Sequence, residues 1–131
     1  MGENKILELL DKKGKDLKIA LVGATNDSRK YGNIIYKDLK SKGIKVFGIN
    51  NKATTIDGDI AYHNVEDLEN KPDIINFVVP PKIGFEIVKK LNENGYDNFW
   101  FQPGAESDEI INYLETNKKN YLAYACVMVK T

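Results

Sequence analysis

Between an apolar run that ends at Val22 and a helical stretch that begins at residue 31, the chain reads GATNDSRKYG. Residues of these types at a strand-to-helix junction suit a phosphate. Gly23 lets the backbone pass close to a ligand, and Ala24 adds little bulk beside it. Thr25 and Ser28 offer hydroxyls, Arg29 and Lys30 offer positive charge, and Tyr31 and Gly32 open the helix. Gly32 leaves room there for a ligand or a neighbouring strand. The first N–H groups of a helix lack intrahelical acceptors and carry the positive end of its dipole, so this end attracts anions. The plainer reading is an ordinary capped turn. The dinucleotide fingerprint G-x-G-x-x-G is not met, because it would place glycines at Thr25 and Ser28. The longer spacer should cradle a differently shaped polyphosphate. Gly23→Val is then expected to weaken pyrophosphate binding without unfolding an exposed turn.

A second set of residues follows the next apolar run. Where NAD sites commonly place an acid that accepts from the ribose, this chain has Asn50-Asn51-Lys52. A cation in place of a carboxylate suits a phosphorylated ribose, as in coenzyme A or NADP. Taken alone, this loop favours the plainer reading of a solvated polar turn. Gln102 in FQPG ends a later strand and either meets a ligand or caps the turn. His63, the only histidine, reads as a surface residue. Cys126 is expected late in the last strand, as a small buried hydrophobe more than a reactive thiol. Trp100 and Phe101 read as core aromatics. Glu106, Asp108 and Glu109 read as helix N-terminal charges and not as a paired acid and base. No nucleophile-base set or metal cluster emerges, so the sequence offers no positive case for catalysis.

The elements that must position these residues alternate. Residues 3–12 predict a short amphipathic helix, with residues 1–14 as an appended segment and 15–131 as one domain. Lys18 to Val22 and Lys45 to Ile49 predict strands. Residues 31–42 predict a helix with Ile34, Ile35 and Leu39 on one face, closed by Gly43. Ile60 to Tyr62 reads as a short edge strand and Asn64 to Asn70 as a brief helix. Ile74 to Val79 is apolar almost throughout, as a strand buried on both faces should be. A helix over 82–94, a strand over Asn98 to Phe101, a helix over 105–118 and a strand over Tyr121 to Val129 complete the chain. Strands alternating with helices predict an α/β, Rossmann-type, doubly wound, mostly parallel sheet of order 3-2-1-4-5-6 with strand 3 short. Ligands bind such sheets outside the carboxyl ends of the strands, where strand order reverses. The loops after strands 1 and 2 and the turn Pro80-Pro81-Lys82 should converge there.

Composition narrows the classes of function. In 131 residues, 19 Lys plus Arg balance 19 Asp plus Glu. No global field therefore draws the chain to nucleic acid or an anionic membrane. No apolar run approaches a membrane span, and the first residues lack the apolar core of a signal peptide. One cysteine excludes an internal disulfide. These features read as a cytoplasmic protein with a small-molecule ligand.

The pieces IALVGAT at 19–25, SRKYG at 28–32, KSKGIKVFGIN at 40–50, VVPP at 78–81, FWFQPG at 99–104 and the late Cys126, in that order, resemble the CoA-binding domain family. These are small stand-alone bacterial proteins related to the N-terminal domain of succinyl-CoA synthetase alpha subunits. The resemblance implies a Rossmann-type domain holding the nucleotide and pyrophosphate of CoA or an acyl-CoA at the loop after strand 1. It also implies contacts near Asn50, Lys52 and Pro80, and a mixed disulfide between Cys126 and the CoA thiol as an option. The family often has Asn-Pro at the position of Asn50-Asn51. The synthetase's phosphohistidine domain is absent from these residues, so ligase chemistry does not carry over. The expected function is a non-catalytic binding or sensing module. A small NADP-dependent reductase, an accessory component of an acyl-CoA ligase, and a structural subunit with a vestigial site stay open. So do a homodimer and an unidentified protein partner.

Overall fold

A computed structural model describes residues 2–131. Met1, the first residue of the expected appended segment, lies outside the described residues. Five parallel strands form the central sheet: β1 (Lys18–Val22), β2 (Lys45–Ile49), β5 (Ile74–Phe77), β6 (Asn98–Phe101) and β7 (Asn120–Leu122). Their order is β2-β1-β5-β6-β7. Two two-residue strands, β3 (Thr55–Ile56) and β4 (Asp59–Ile60), make a separate antiparallel hairpin. Period-two alternation sorts each central strand onto two cores. Ile19, Leu21, Ile74 and Trp100 face one layer with α1 (Gly2–Lys13), α2 (Tyr31–Ser41) and α5 (Val127–Lys130). Ala20, Val22, Ile75, Phe77, Phe99 and Phe101 face the other, with α3 (Pro81–Glu93) and α4 (Asp108–Thr116). Ile6 of α1 is fully buried in the first core.

The sheet order agrees with the doubly wound expectation, with one reduction at its edge. The predicted strand over Ile60 to Tyr62 is split. Ile60 belongs to the hairpin, while Tyr62 alone bridges Ile49 in parallel, its N–H donating to the Gly48 carbonyl at 2.9 Å. Asp57 and Gly58 both take positive φ in the tight β3–β4 turn, which spends the residues an edge strand would need. The brief helix expected over 64–70 is one 3-10 turn, Val65–Asp67.

The end of the chain departs most from expectation. The last strand stops at Leu122 and Cys126 caps a short helix. Tyr124 takes φ +62, which turns the chain off the sheet edge. Beyond it, side chains of β6 and its loop replace ladder partners. Trp100 Nε1 donates to the Ala125 carbonyl at 2.8 Å, and Val127 N–H donates to Gln102 Oε1 at 2.8 Å. Apolar ACVMV satisfies a strand or a buried helical turn equally well by pattern, and these two captures decide for the turn.

Candidate functional site

β1 lies between β2 and β5, and its chain leaves toward α2 on one face while β5 leaves toward α3 on the other. This is the point where strand order reverses. Gly23 sits at its mouth with φ +103, still bonded through its N–H to the Ile49 carbonyl at 3.1 Å. A Cβ at Gly23 would lie 2.8 Å from Val78 Cγ1 and 2.9 Å from Val79 Cγ1. Gly23 is therefore packed against the β5 turn and is not an exposed hinge. The expectation that Gly23→Val leaves the fold intact is corrected by this contact and by a φ that valine strains to adopt.

The loop from Ala24 to Lys30 is held by side chains that take up its carbonyl oxygens. Asn50 Nδ2 donates to the Ala24 carbonyl at 2.9 Å, and Asn33 Nδ2 to the Thr25 carbonyl at 3.0 Å. Asn26 ties the loop to the hairpin, donating to Thr55 O and accepting from Asp57 N–H at 2.8 and 2.9 Å. The hairpin is in turn clamped to α2. Tyr36 Oη donates to Asp59 at 2.8 Å and Lys40 pairs with Asp57 and Asp59 at 3.1 and 2.8 Å. Burial, then the Asp59 contact, raises the Tyr36 phenol well above its usual range, so it stays a donor.

α2 begins at Tyr31 with extended Lys30 as its N-cap, and no side chain caps it. Its first N–H groups are thus available to an anion. The helix lies unusually close to the loop: a Cβ at Gly32 would stand 2.0 Å from the Gly23 carbonyl oxygen. Gly32 thus makes room for the loop backbone. α3 contrasts with α2, because Pro80 and Pro81 at its start remove two N–H donors.

The predicted positions fall into three groups. Gly23, Ala24, Thr25, Gly32 and Asn50 form the packed floor, with Ala24 fully buried. Asn50 Oδ1 also accepts from Lys52 and Ala53 N–H, both at 2.9 Å, which shapes the second loop and leaves Lys52 exposed beside the first. Ser28, Arg29, Lys30 and Tyr31 form an exposed rim. Thr25 Oγ1 accepts from Asp27 N–H at 3.1 Å, so its own proton remains available to a ligand. Arg29 is not a free cation: its Nε and Nη2 each lie 3.0 Å from the two oxygens of Asp27. Arg29 holds the Asp27 carboxyl below the usual carboxylate range.

Pro80, Pro81 and Gln102 line a groove of about 390 Å³ with Val78, Val79 and the Pro103-Gly104-Ala105 turn. Gln102 is 5% exposed and its side chain is engaged. Its Oε1 accepts from Val127 N–H and, at 3.4 Å, from Asn76 Nδ2, while its Nε2 donates to Cys126 Sγ at 3.2 Å. Because Val127 N–H requires an oxygen acceptor, the amide orientation is determined and the sulfur receives the donor. Gln102 thus fastens α5 to the sheet beneath the groove.

Other candidates fall outside this convergence. His63 is exposed beside the 3-10 turn. Trp100 is fully buried, and Phe101 stacks on Phe77 with ring centres 4.9 Å apart. Ser107 caps α4, accepting from Ile110 N–H, so the helix expected from 105 starts at Asp108, and Glu106 binds Gly104 N–H instead. Among the described residues no group of His, Cys, Asp and Glu could hold a metal ion, and no helix is long and apolar enough to cross a membrane. Sequence reasoning missed Asn26, Asn33 and Asp27. A polar Asn33 between Gly32 and Ile34 gave a faint signal, since it displaces Ile34 to the surface.

A sequence profile described as "CoA binding domain" matches residues 17–131. Over 78 residues, 59% of this chain, there is 33% identity to the alpha subunit of an ADP-forming acetate–CoA ligase II of Pyrococcus furiosus; the match spans 17% of that relative. Among solved structures, a conserved hypothetical protein of Pyrococcus furiosus superimposes with TM-score 0.85 at 48% identity, over 88% of this chain and 99% of that one. A hypothetical protein of Pyrococcus horikoshii superimposes with TM-score 0.84 at 28% identity, over 99% and 89%.

Proposed function

The chain belongs to the CoA-binding domain family, and on that premise we propose that it binds coenzyme A or an acyl-CoA through the nucleotide and pyrophosphate, as a binding or sensing module. One observation carries the reading. The loop after β1 has its Ala24 and Thr25 carbonyls tied down by Asn50 and Asn33, beside a helix whose N-terminus no side chain caps. A pyrophosphate there meets N–H donors and not carbonyl oxygens. Ser28, Lys30 and Tyr31 border the phosphates, and Lys52 follows the Asn50 turn at the place of the 3′-phosphate. The apolar groove between Val79, Pro81 and Pro103 receives the pantetheine arm, above a Gln102 already committed to the fold. NAD fits less well, because β2 ends in an amide that is spent on Ala24 and on two N–H groups.

Titration calorimetry with CoA, dephospho-CoA, NAD and NADP tests this. CoA should bind tightest and dephospho-CoA more weakly. Lys52→Ala should erase most of that difference, a few-fold to tenfold for an exposed charge-assisted contact. Equal or tighter binding of either dinucleotide overturns the assignment. A second reading, a CoA-holding component that serves an acyl-CoA ligase, draws on the identity to the ligase subunit. It requires a ligase subunit to copurify with the tagged protein from its own cells.

A further inference from the structure

The loop after β1 carries a carboxylate where the proposed reading places phosphates. Asp27 is anchored by its backbone: its N–H donates to Thr25 Oγ1 and its carbonyl accepts from Lys30 N–H at 3.0 Å. Its Oδ1 accepts from Arg29 N–H at 3.1 Å and Arg29 Nε at 3.0 Å, and its Oδ2 from Arg29 Nη2 at 3.0 Å. The Arg29 side chain is 87% exposed, against 26% for Asp27. The carboxylate is thus the fixed partner and the guanidinium the movable one. A two-oxygen acceptor on a guanidinium fork is also the geometry in which arginine takes phosphate.

We propose that Asp27 competes with the ligand's phosphate for Arg29, so that binding transfers the Arg29 fork from the carboxylate to the phosphate. This rests on the reading that CoA phosphates occupy the loop. The competition sets how much of the Arg29 contact reaches affinity. A singly charged carboxylate ligand gains little by replacing one carboxylate with another. A pyrophosphate offers more charge and more acceptors, and keeps Lys30 and the α2 N–H groups as well. Asp27 therefore lowers the affinity of any anion that must take Arg29 from it.

CoA titration of wild type, Asp27→Asn, Arg29→Gln and the double variant decides it. Asparagine keeps an oxygen acceptor for Arg29 N–H, so the loop should persist, and equal melting temperatures check this. Asp27→Ser makes the same comparison if Asp27→Asn melts low. Exposed ion pairs of this kind correspond to a change of about two- to fivefold. Asp27→Asn should bind CoA tighter by that factor, with a steeper loss on adding salt. Arg29→Gln should cost more in the Asp27→Asn background than in wild type. If wild type binds CoA and Asp27→Asn binds no tighter, or if the Arg29→Gln loss is equal in both backgrounds, the competition is refuted while the CoA reading stands. If wild type takes up no CoA, both fall.

Discussion

Replacing Gly32 by alanine sets two effects of known size against each other. On an isolated helix the change is favourable, because alanine exceeds glycine in helix propensity by up to about 1 kcal/mol. Here the added Cβ would stand 2.0 Å from the Gly23 carbonyl oxygen and 3.0 Å from its carbon. Carbon–oxygen contacts normally begin near ~3.3 Å, so helix and loop must separate by roughly 1.3 Å. The loop has little freedom to yield. Gly23 is bonded to β2, and the next two carbonyls are held by Asn50 and Asn33. Overpacking against such a backbone costs about 1–3 kcal/mol, which outweighs the propensity gain. Gly32→Ala should therefore be destabilising by about 1–2 kcal/mol, a fall in melting temperature of roughly 3–10 °C for a domain of this size. Gly84→Ala in the first turns of α3 is the control. Its Cβ would meet Val79 Cγ2 at 3.6 Å and Phe77 Cδ2 at 3.7 Å, which is ordinary contact. That variant should gain up to about 1 kcal/mol and melt a few degrees higher. Circular dichroism melts compare the two. A Gly32→Ala protein that melts with or above wild type, while Gly84→Ala behaves as stated, would refute the claim that this close approach holds α2 on the loop.

Other expectations follow from the same contacts. Gly23→Val should lower the melting temperature as well as weaken CoA binding, because its side chain meets Val78 and Val79 and its φ is +103; a normally melting variant would show that the β5 turn gives way. Gln102→Leu leaves the buried Val127 N–H without its acceptor, at a cost of about 1–3 kcal/mol in urea unfolding; an unchanged midpoint would mean α5 contributes nothing to the cooperative fold. Lys40, then Tyr36, holds the Asp59 carboxyl below its ordinary value of 3.8. A carboxyl with a depressed folded value stabilises above its unfolded value, and that stabilisation is lost as pH falls through the folded one. Asp59→Asn should therefore flatten the fall of melting temperature between neutral pH and about pH 3, and an equally steep fall in the variant would exclude the clamp as its source.

The central layer was legible because buried parallel strands announce themselves as apolar runs between turn residues. KIALV, KVFGI and NFWF occupy the predicted ranges without a shift, and IINFVV is shortened only by Val78, whose N–H still donates to the Val22 carbonyl at 3.0 Å, and Val79, both of which wall the groove. Gly43 marked the end of α2 through its φ of +81. What failed was decided by contacts distant in sequence. Whether ACVMV becomes strand or helix depends on Trp100 and Gln102, more than twenty residues earlier. The length of the third strand depends on a hairpin whose own fixation comes from Asn26, Tyr36 and Lys40.

The candidate site was read for the groups that would touch a ligand, and the structure adds the groups that orient them. A phosphate loop must turn donors outward, and the carbonyl oxygens of the same peptides must then be satisfied inward, since a buried unpaired carbonyl is costly. Asn50 and Asn33 meet that demand by donating to two of these carbonyls, and Asn26 ties the loop to the hairpin. Asn50 spans the Ala24 carbonyl and two N–H groups of the second loop, Asn26 spans the hairpin, and Asn33 reaches the Thr25 carbonyl from within α2. Asn33 is 5% exposed and Ile34 is 43% exposed, while Ile35 and Leu39 are fully buried, so one of the three apolar positions that spacing assigned to the inner face turns outward. Aspartate in these places could accept but not donate, and would leave the loop carbonyls unsatisfied. The exchange of Asn33 for Ile34 is therefore a local departure from hydrophobic patterning that the Thr25 carbonyl explains, because Asn33 must face inward to reach it.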